Sequence, residues 1–250
     1  MQSNSLKYLK RVMAAIAATV GLIATLTGCA PESPKTVTIA THDSFVISDE
    51  LIEKFETESG YQLEVVKLGD AGELTNKLVL TKDQPVADAF FGIDNTFRGV
   101  AESNGIVDGD FTQIDFADVC FNYDKQWFSA KGIAAPKTWR ELTEPRYRGL
   151  TVVENPATSS TGLSFLFATV GALGEPSWKN WWTAMRDNDL KVVAGWEQAY
   201  YTEFSGSAGK GPYPIVLSYS SSPADEVDDR RGQRDVERGG RLVAQQHLGR

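Results

Sequence analysis

The sequence predicts an α/β protein built on parallel strands with helices covering both faces of the sheet. Three features carry that expectation. Short apolar runs rich in Val, Ile and Leu alternate with segments whose apolar residues recur at helical spacing. Helix-start and helix-stop signals separate them. The connections are short, and strand–helix–strand alternation with short connections favours parallel pairing.

Taken in order, the elements begin with a leader. Lys7, Lys10 and Arg11 precede an apolar stretch from Val12 to Leu26, about fifteen residues against the roughly twenty that span a bilayer. Residues 1–28 therefore read as a signal peptide. Leu26-Thr27-Gly28-Cys29-Ala30 resembles the lipobox of bacterial lipoproteins. That likeness implies that Cys29 is acylated and begins the mature chain, several acyl chains holding it at the membrane surface where one would be marginal. Residues 29–36 form a Pro-containing tether.

Val37-Thr38-Ile39-Ala40 is the first strand. Ser48 caps a helix through Glu58, with Leu51, Ile52 and Phe55 at helical spacing and Gly60 as the stop. Leu63 to Leu68 is the second strand. Asp70, with Glu73 three residues on, has the capping-box arrangement at the start of a helix whose Leu74 and Leu78 face inward. Ala87 to Phe91 is the third strand.

A fourth strand spans residues 118–124. Thr138 and Glu141 give a second capping box before a short helix. Leu150 to Val153 is a strand, followed by a polar loop from Glu154 to Thr161 and an apolar helix from Gly162 to Leu173. Pro176 opens another helix, along which Trp178, Trp181, Trp182 and Met185 make a stripe read as core. Lys191–Val193 and Ile215–Ser218 are short strands, with a helix from Trp196 to Phe204 between them. From Asp225 the chain is densely charged and has no aromatics, so it reads either as a solvated helix or disordered tail, or as the product of a changed reading frame and therefore not native to the fold.

Composition narrows the function. The chain is 42% hydrophobic, enough for one large or two modest cores. Its formal net charge is −8 and becomes −11 without the three leader cations. An acidic surface disfavours nucleic acid and anionic lipid as partners and suits a small cation. The two histidines, His42 and His247, cannot form a His-rich metal site. Beyond Cys29 there is only Cys120, so no internal disulfide is expected. No phosphate-cradling P-loop, GxSxG elbow or paired CxxC occurs. No enzyme, cofactor or metal is expected.

Polar and aromatic residues gather instead just after the strands. These are His42, Asp43 and Ser44 after the first, Asp70 and Ala71 after the second, and Asp94 and Asn95 after the third. Ser159 and Ser160, then Trp196, and finally Tyr219 through Ser222 follow the later strands. In open α/β sheets ligands bind at the carboxyl ends of strands.

The segments Thr41-His42-Asp43-Ser44-Phe45, Gly92-Ile93-Asp94-Asn95, Thr158 to Leu163, Gly195-Trp196-Glu197-Gln198-Ala199-Tyr200 and Leu217 to Ala224 occur in that order. Together, over residues 36–224, they resemble the thiamine-binding proteins of ABC importers, which have the two-lobed type II periplasmic-binding-protein fold. The resemblance implies lobe I at 37–117, lobe II at 118–224, both incomplete, and an atypical charged tail at 225–250. It stops at Ala224, so the C-terminal part of the family fold is expected to be missing, and the helix between Asn95 and Asp118 to be abbreviated.

The likeness further implies a monomeric capture protein, exported and anchored only by lipid at the extracytoplasmic face, that hands thiamine or its phosphates to permease subunits. Trp196 and Tyr219 would be the aromatic walls around a thiazolium cation. Asp70 and the amides after it, Ala71 first, would meet the hydroxyethyl or phosphate end, with Ser159 or Ser160 opposite. His42, Asp43, Asp94, Tyr200 and Ser222 complete the expected contacts. His42 stands where the family can carry a tyrosine. Two rivals share the fold: a ferric-ion binder using Tyr200 and Tyr201, and a thiaminase using Cys120. Adjacent helical residues point about 100° apart, which works against the first, and no base neighbours Cys120 in sequence for the second.

Overall fold

The computed structural model describes residues 35–107, 109–207, 211–225 and 239–243. The signal peptide, Cys29, most of the tether and most of the charged tail lie outside the described residues.

Lobe I is a three-stranded sheet of order β2-β1-β3, parallel throughout as expected. β1 (Lys35–Thr41) pairs along its whole length with β2 (Tyr61–Lys67). Its last three residues, Ile39 to Thr41, pair with β3 (Ala89–Phe91). β3 is shorter than the expected 87–91 because a side chain intervenes. The Asp88 carboxylate accepts the Thr38 N–H at 2.8 Å where a backbone carbonyl would continue the ladder.

Helix α1 (Asp49–Ser59) starts at Ser48, whose hydroxyl accepts the Leu51 N–H, and stops at Gly60 in the left-handed region. Both signals match the sequence. The inward stripe does not, since none of its residues is buried and Leu51 is 54% exposed. The sheet beneath it covers only part of its apolar face. Helix α2 (Ala71–Leu80) does bury Leu74 and Thr75. Its Asp70 carboxylate accepts the adjacent Ala71 N–H, a tighter cap than the expected capping box. A six-residue helix α3 (Arg98–Ser103) follows, as short as the sequence suggests.

Lobe II is a five-stranded mixed sheet of order β6-β5-β7-β4-β8. β5 (Thr151–Glu154) is parallel to β6 (Lys191–Val193) and β7 (Ile215–Tyr219). β4 (Val119–Asp124) runs antiparallel to β7, with Val119 opposite Tyr219. The all-parallel expectation therefore fails here: the chain enters lobe II at the cleft end of its sheet rather than at the far end. β8 (Gly239–Val243) pairs antiparallel with the other edge of β4. The tail, expected as a solvated helix or an unpacked segment, thus contributes one strand, because the unpaired N–H and C=O groups of the β4 edge template it from a segment without an apolar stripe.

Residues on alternate positions of β5 divide the core. Val153 faces Phe121, Phe165, Trp181, Met185, Ile215 and Leu217. That side is covered by α4 (Lys125–Lys131), α5 (Ser160–Leu173) and α6 (Ser177–Asp187). The Trp stripe of α6 is core as expected, Trp181 and Met185 being buried and the Trp182 indole N–H donating to Thr169 at 2.9 Å. Burying such a side chain contributes about 1.5–3 kcal/mol. Val152 faces the other way, toward Val193, Trp196, Tyr200, Phe204 and Val216.

Three local expectations shift. Thr138 makes no side-chain cap, and the segment it precedes, Trp139–Thr143, is a 3-10 turn. α5 begins at Ser160, ahead of Gly162. The helix after Trp196 widens into a π-helix over Gln198–Glu203, closed by the Phe204 N–H on the Ala199 carbonyl at 3.0 Å. Among the described residues no helix is long and apolar enough to cross a membrane.

Candidate ligand-binding cleft

The carboxyl ends of β1, β2 and β3 face those of β5, β6 and β7 across a groove of about 1820 Å3. His42, Asp70, Ala71, Asp94, Ser160, Trp196, Tyr219 and Ser222 line it. A smaller recess of about 420 Å3, which shares Asp70, Trp196 and Tyr201 with the groove, adds Asp43, Glu73 and Glu197. Of the residues expected from the sequence, only Ser159 and Tyr200 line neither space.

Asp70 joins the lobes. One carboxylate oxygen accepts the Ala71 N–H at 2.6 Å and the other accepts the Trp196 N–H at 2.8 Å. Beside it, the Gly72 and Glu73 N–H groups both point at the Thr158 carbonyl of the β5–α5 loop, at 2.9 and 3.3 Å. These are the unpaired first-turn donors of α2. The sequence expectation gave Asp70 and the amides after it to the hydroxyethyl or phosphate end of a ligand; the structure uses them to hold lobe II. Close approach requires glycine at two points. A Cβ on Gly195 would lie 3.1 Å from the Asp70 Cβ, and one on Gly72 would lie 2.7 Å from the Ala157 carbonyl oxygen.

The aromatic wall is braced from behind. The Trp196 indole N–H donates to Ser218 at 2.8 Å, and Ser218 bonds Ser222 at 2.8 Å. The Tyr200 ring stacks on the Trp196 ring at 5.0 Å and 12°. Tyr200 is thus a buried backing for Trp196, and Ser222 holds the wall upright. Tyr219 is tilted to Trp196 at 6.4 Å, and its hydroxyl is 3.0 Å from the Ser160 hydroxyl. Burial raises the Tyr219 pKa, the Ser160 hydrogen bond opposing it, so the phenol stays neutral. Of the two candidate serines, Ser160 lines the groove, whereas Ser159 is buried against Thr161 at 2.9 Å.

Opposite stands His42, against Phe91 at 5.7 Å. Burial lowers its pKa from 6.5, with Asp70 opposing, so the imidazole is neutral at neutral pH. Gly92, at φ 110, leaves room for that ring, because a Cβ there would lie 2.3 Å from it. Asp94 spends one oxygen on Thr96 and the Phe97 N–H, capping the loop before α3. Asp43 ties the first two strand ends together through the Gly69 N–H at 2.9 Å.

Two residues outside the expected thiamine contacts stand near the wall, Tyr201 having entered the sequence reading only as part of the ferric-ion alternative. Tyr201, edge-on to Trp196 at 5.2 Å and 42% exposed, faces both spaces; the widened π turn put it there, and no sequence signal marked that turn. Glu154 ends β5 fully buried, with neither carboxylate oxygen hydrogen-bonded. A charged residue closing an otherwise apolar strand just before the Ser159–Ser160 loop was the available signal. The arrangement is an aromatic, acidic cleft between two lobes, able to enclose a flat organic cation.

Comparison with known proteins follows this geometry. The model of a family described as bacterial extracellular solute-binding protein matches residues 87–231. The thiamine-binding periplasmic protein of Brucella suis is 30% identical over 79% of this chain and 63% of its own length. The protein of the same name from Escherichia coli is 28% identical over 76% of this chain and 62% of its own. The chain thus spans less than two thirds of these relatives. A solved periplasmic thiamin binding protein superposes with TM-score 0.67 at 24% identity, covering 84% of this chain and 69% of that one. The fructose-6-phosphate-bound binding protein AfuA from Actinobacillus pleuropneumoniae gives 0.68 at 14% identity, covering 84% and 69%. These likenesses establish the two-lobed type II binding-protein fold.

Proposed function

The chain belongs to the bacterial extracellular solute-binding proteins, and on that premise we propose that it captures thiamine or a thiamine phosphate outside the cytoplasm and delivers it to an ABC importer. The observation that carries the reading is the braced aromatic wall. Trp196, stacked on Tyr200 and held by Ser218, stands with Tyr219 and Tyr201 in a cleft that also holds the Asp70 and Asp94 carboxylates. A ring face attracts a cation most strongly where water is excluded. Thiamine offers a flat pyrimidine for stacking and a permanently charged thiazolium. The names of the Brucella suis and Escherichia coli relatives support the same ligand.

In this reading Trp196, Tyr219 and Tyr201 enclose the thiazolium and pyrimidine, His42 and Asp94 offer polar contacts from lobe I, and Ser160 meets the hydroxyethyl or phosphate end. Asp70 contributes its charge while fastening the lobes. The protein acts by binding and release, without turnover, as a monomer. Iron-bound and ferric-binding proteins are among its structural neighbours, but Tyr200 is buried beneath Trp196 and its ring lies at 86° to that of Tyr201. A thiaminase reading would need Cys120 to meet ligand, and Cys120 is fully buried on β4.

The test is a thiamine titration followed by tryptophan fluorescence. Trp196→Ala is expected to weaken binding by about 1–2 kcal/mol, the scale of a desolvated cation–π contact. Tight ferric binding without thiamine binding would replace this reading with the metal one, and thiamine cleavage lost in Cys120→Ser would make the protein an enzyme. Anchoring through Cys29 is proposed from the lipobox alone; a fatty-acid analogue fed to cells should label the wild type and not Cys29→Ala, and equal labelling would refute it.

A further inference from the structure

Resting on the reading that the ligand is a thiamine, we infer that the cleft selects the free alcohol over its phosphate esters, and that Asp70 is the residue that sets the preference. The interlobe contact that Asp70 organises uses up the donors a phosphoryl group needs and leaves a carboxylate beside the aromatic wall.

A phosphate monoester carries about −1.5 to −2 charge at neutral pH and offers strong acceptor oxygens. Proteins receive such a group with the N–H donors of helix N-termini and with Arg or Lys. The first four N–H groups of α2 are all engaged. Ala71 donates to the Asp70 carboxylate at 2.6 Å, Gly72 and Glu73 to the Thr158 carbonyl at 2.9 and 3.3 Å, and Leu74 to the Asp70 carbonyl at 2.9 Å. The Trp196 N–H, on the facing lobe, is taken by the second Asp70 carboxylate oxygen at 2.8 Å. The space in front of these donors is closed as well. A Cβ on Gly72 would lie 2.7 Å from the Ala157 carbonyl oxygen, and one on Gly195 would lie 3.1 Å from the Asp70 Cβ. A phosphoryl group, larger than a methyl, does not fit between the lobes there.

The other helix head at the cleft is that of α5. From its first turn only Ser160 lines the groove, and the Ser160 and Tyr219 hydroxyls are bonded to each other at 3.0 Å. One of their two O–H protons lies in that bond, so one is left for a ligand oxygen. Among the described residues, the basic side chains lining the two spaces are Lys82 and Arg98. Arg98 is paired with Glu102 at 2.6 Å, and Lys82 reaches the Asn104 carbonyl at 3.4 Å. Lys67 lines neither space and donates to the Asp43 carbonyl at 2.6 Å. Asp43, Asp70, Glu73 and Glu197 surround the recess, and Asp94 joins Asp70 in the groove.

The hydroxyethyl end of thiamine suits these surroundings. Its O–H donates to a carboxylate, which has lone pairs beyond the N–H bonds it already accepts, and its oxygen accepts the remaining proton of the Ser160–Tyr219 pair. The thiazolium charge is attracted by Asp70, in direct contact with the Trp196 backbone. A phosphoryl group meets the same carboxylate as like charge, in a partly desolvated site where repulsion is stronger than in water.

Calorimetric titration of the 250-residue protein with thiamine, its monophosphate and its diphosphate tests this. At about pH 8, where the monoester is doubly ionised, the monophosphate is expected to bind at least tenfold more weakly than thiamine, and the diphosphate no more tightly than the monophosphate. Asp70→Asn removes the charge and keeps one acceptor; it should weaken thiamine and narrow the ratio between the two ligands severalfold. Because that ratio is taken within one protein, a variant that weakens both ligands equally would show Asp70 to be a fastener only and overturn its role. Lowering the pH from about 8 to about 5 strips the ester of most of its second charge, so the wild-type ratio should narrow; an unchanged ratio would overturn the charge argument even if the variant does not fold. Phosphates bound by the wild type as tightly as thiamine overturn the selectivity and leave the thiamine reading standing. Binding of none of the three overturns both.

Discussion

At the scale of single residues, Glu154 and Tyr200 show how burial assigns tasks that composition cannot. Tyr200 looks like a ligand contact in sequence and is instead the stacked support of Trp196. Glu154 destabilises the fold on its own account. Its folded pKa of about 8 lies above the unfolded value of 4.5, so the unfolded chain loses its proton first as pH rises. Stability is fully present below about pH 4.5, falls through the interval up to about 8, and is flat beyond it. Removing the charge should relieve that loss. Glu154→Gln is expected to be more stable than wild type at pH 9 by on the order of a few kcal/mol, with little difference near pH 4. Urea melts at the two pH values measure this, and an equal difference at both would show that Glu154 is ionised throughout.

At the scale of elements, what the sequence disclosed follows from how local each cause is. Ser48 and Gly60 bounded α1 correctly because caps act within one turn of chain. The Trp181–Met185 stripe of α6 was legible because burial follows helical period. The strand ends that carry His42, Asp70, Asp94, Ser160, Trp196 and Tyr219 were legible because short apolar runs closed by polar residues mark strands locally. The antiparallel course of β4, the π turn at Gln198–Glu203 and the pairing of β8 were not, since each depends on partners far away in the chain. The contact of α2 with lobe II belongs to this second group. Two glycines far along the chain from their partners permit it: Gly72 beneath Thr158 and Gly195 against Asp70. Replacing Gly72 with Ala favours α2 by roughly 1 kcal/mol in helix propensity yet drives a methyl group to 2.7 Å from backbone atoms of the facing loop. Thiamine affinity should fall about tenfold, or roughly 1.4 kcal/mol, while the free protein melts no earlier. Unchanged affinity would mean that the α2–Thr158 contact plays no part in closure.

For the whole molecule, two sheets of different construction present their strand ends to one another, and the space between them collects the acidic and aromatic residues. Lobe II encloses a dense aromatic core, whereas lobe I leaves Val46, Leu80, Ile114 and Phe116 largely exposed. The cleft itself is built from both: Asp70 and His42 on one side, Trp196 and Tyr219 on the other. Its carboxylates and ring faces suit an organic cation, and its braced wall implies that the ring positions exist before ligand arrives. The most direct test of that central claim is a calorimetric titration of the 250-residue protein with thiamine. The account predicts saturable one-to-one binding, weakened by Trp196→Ala. A folded protein that gives no heat with thiamine or its phosphates would contradict it.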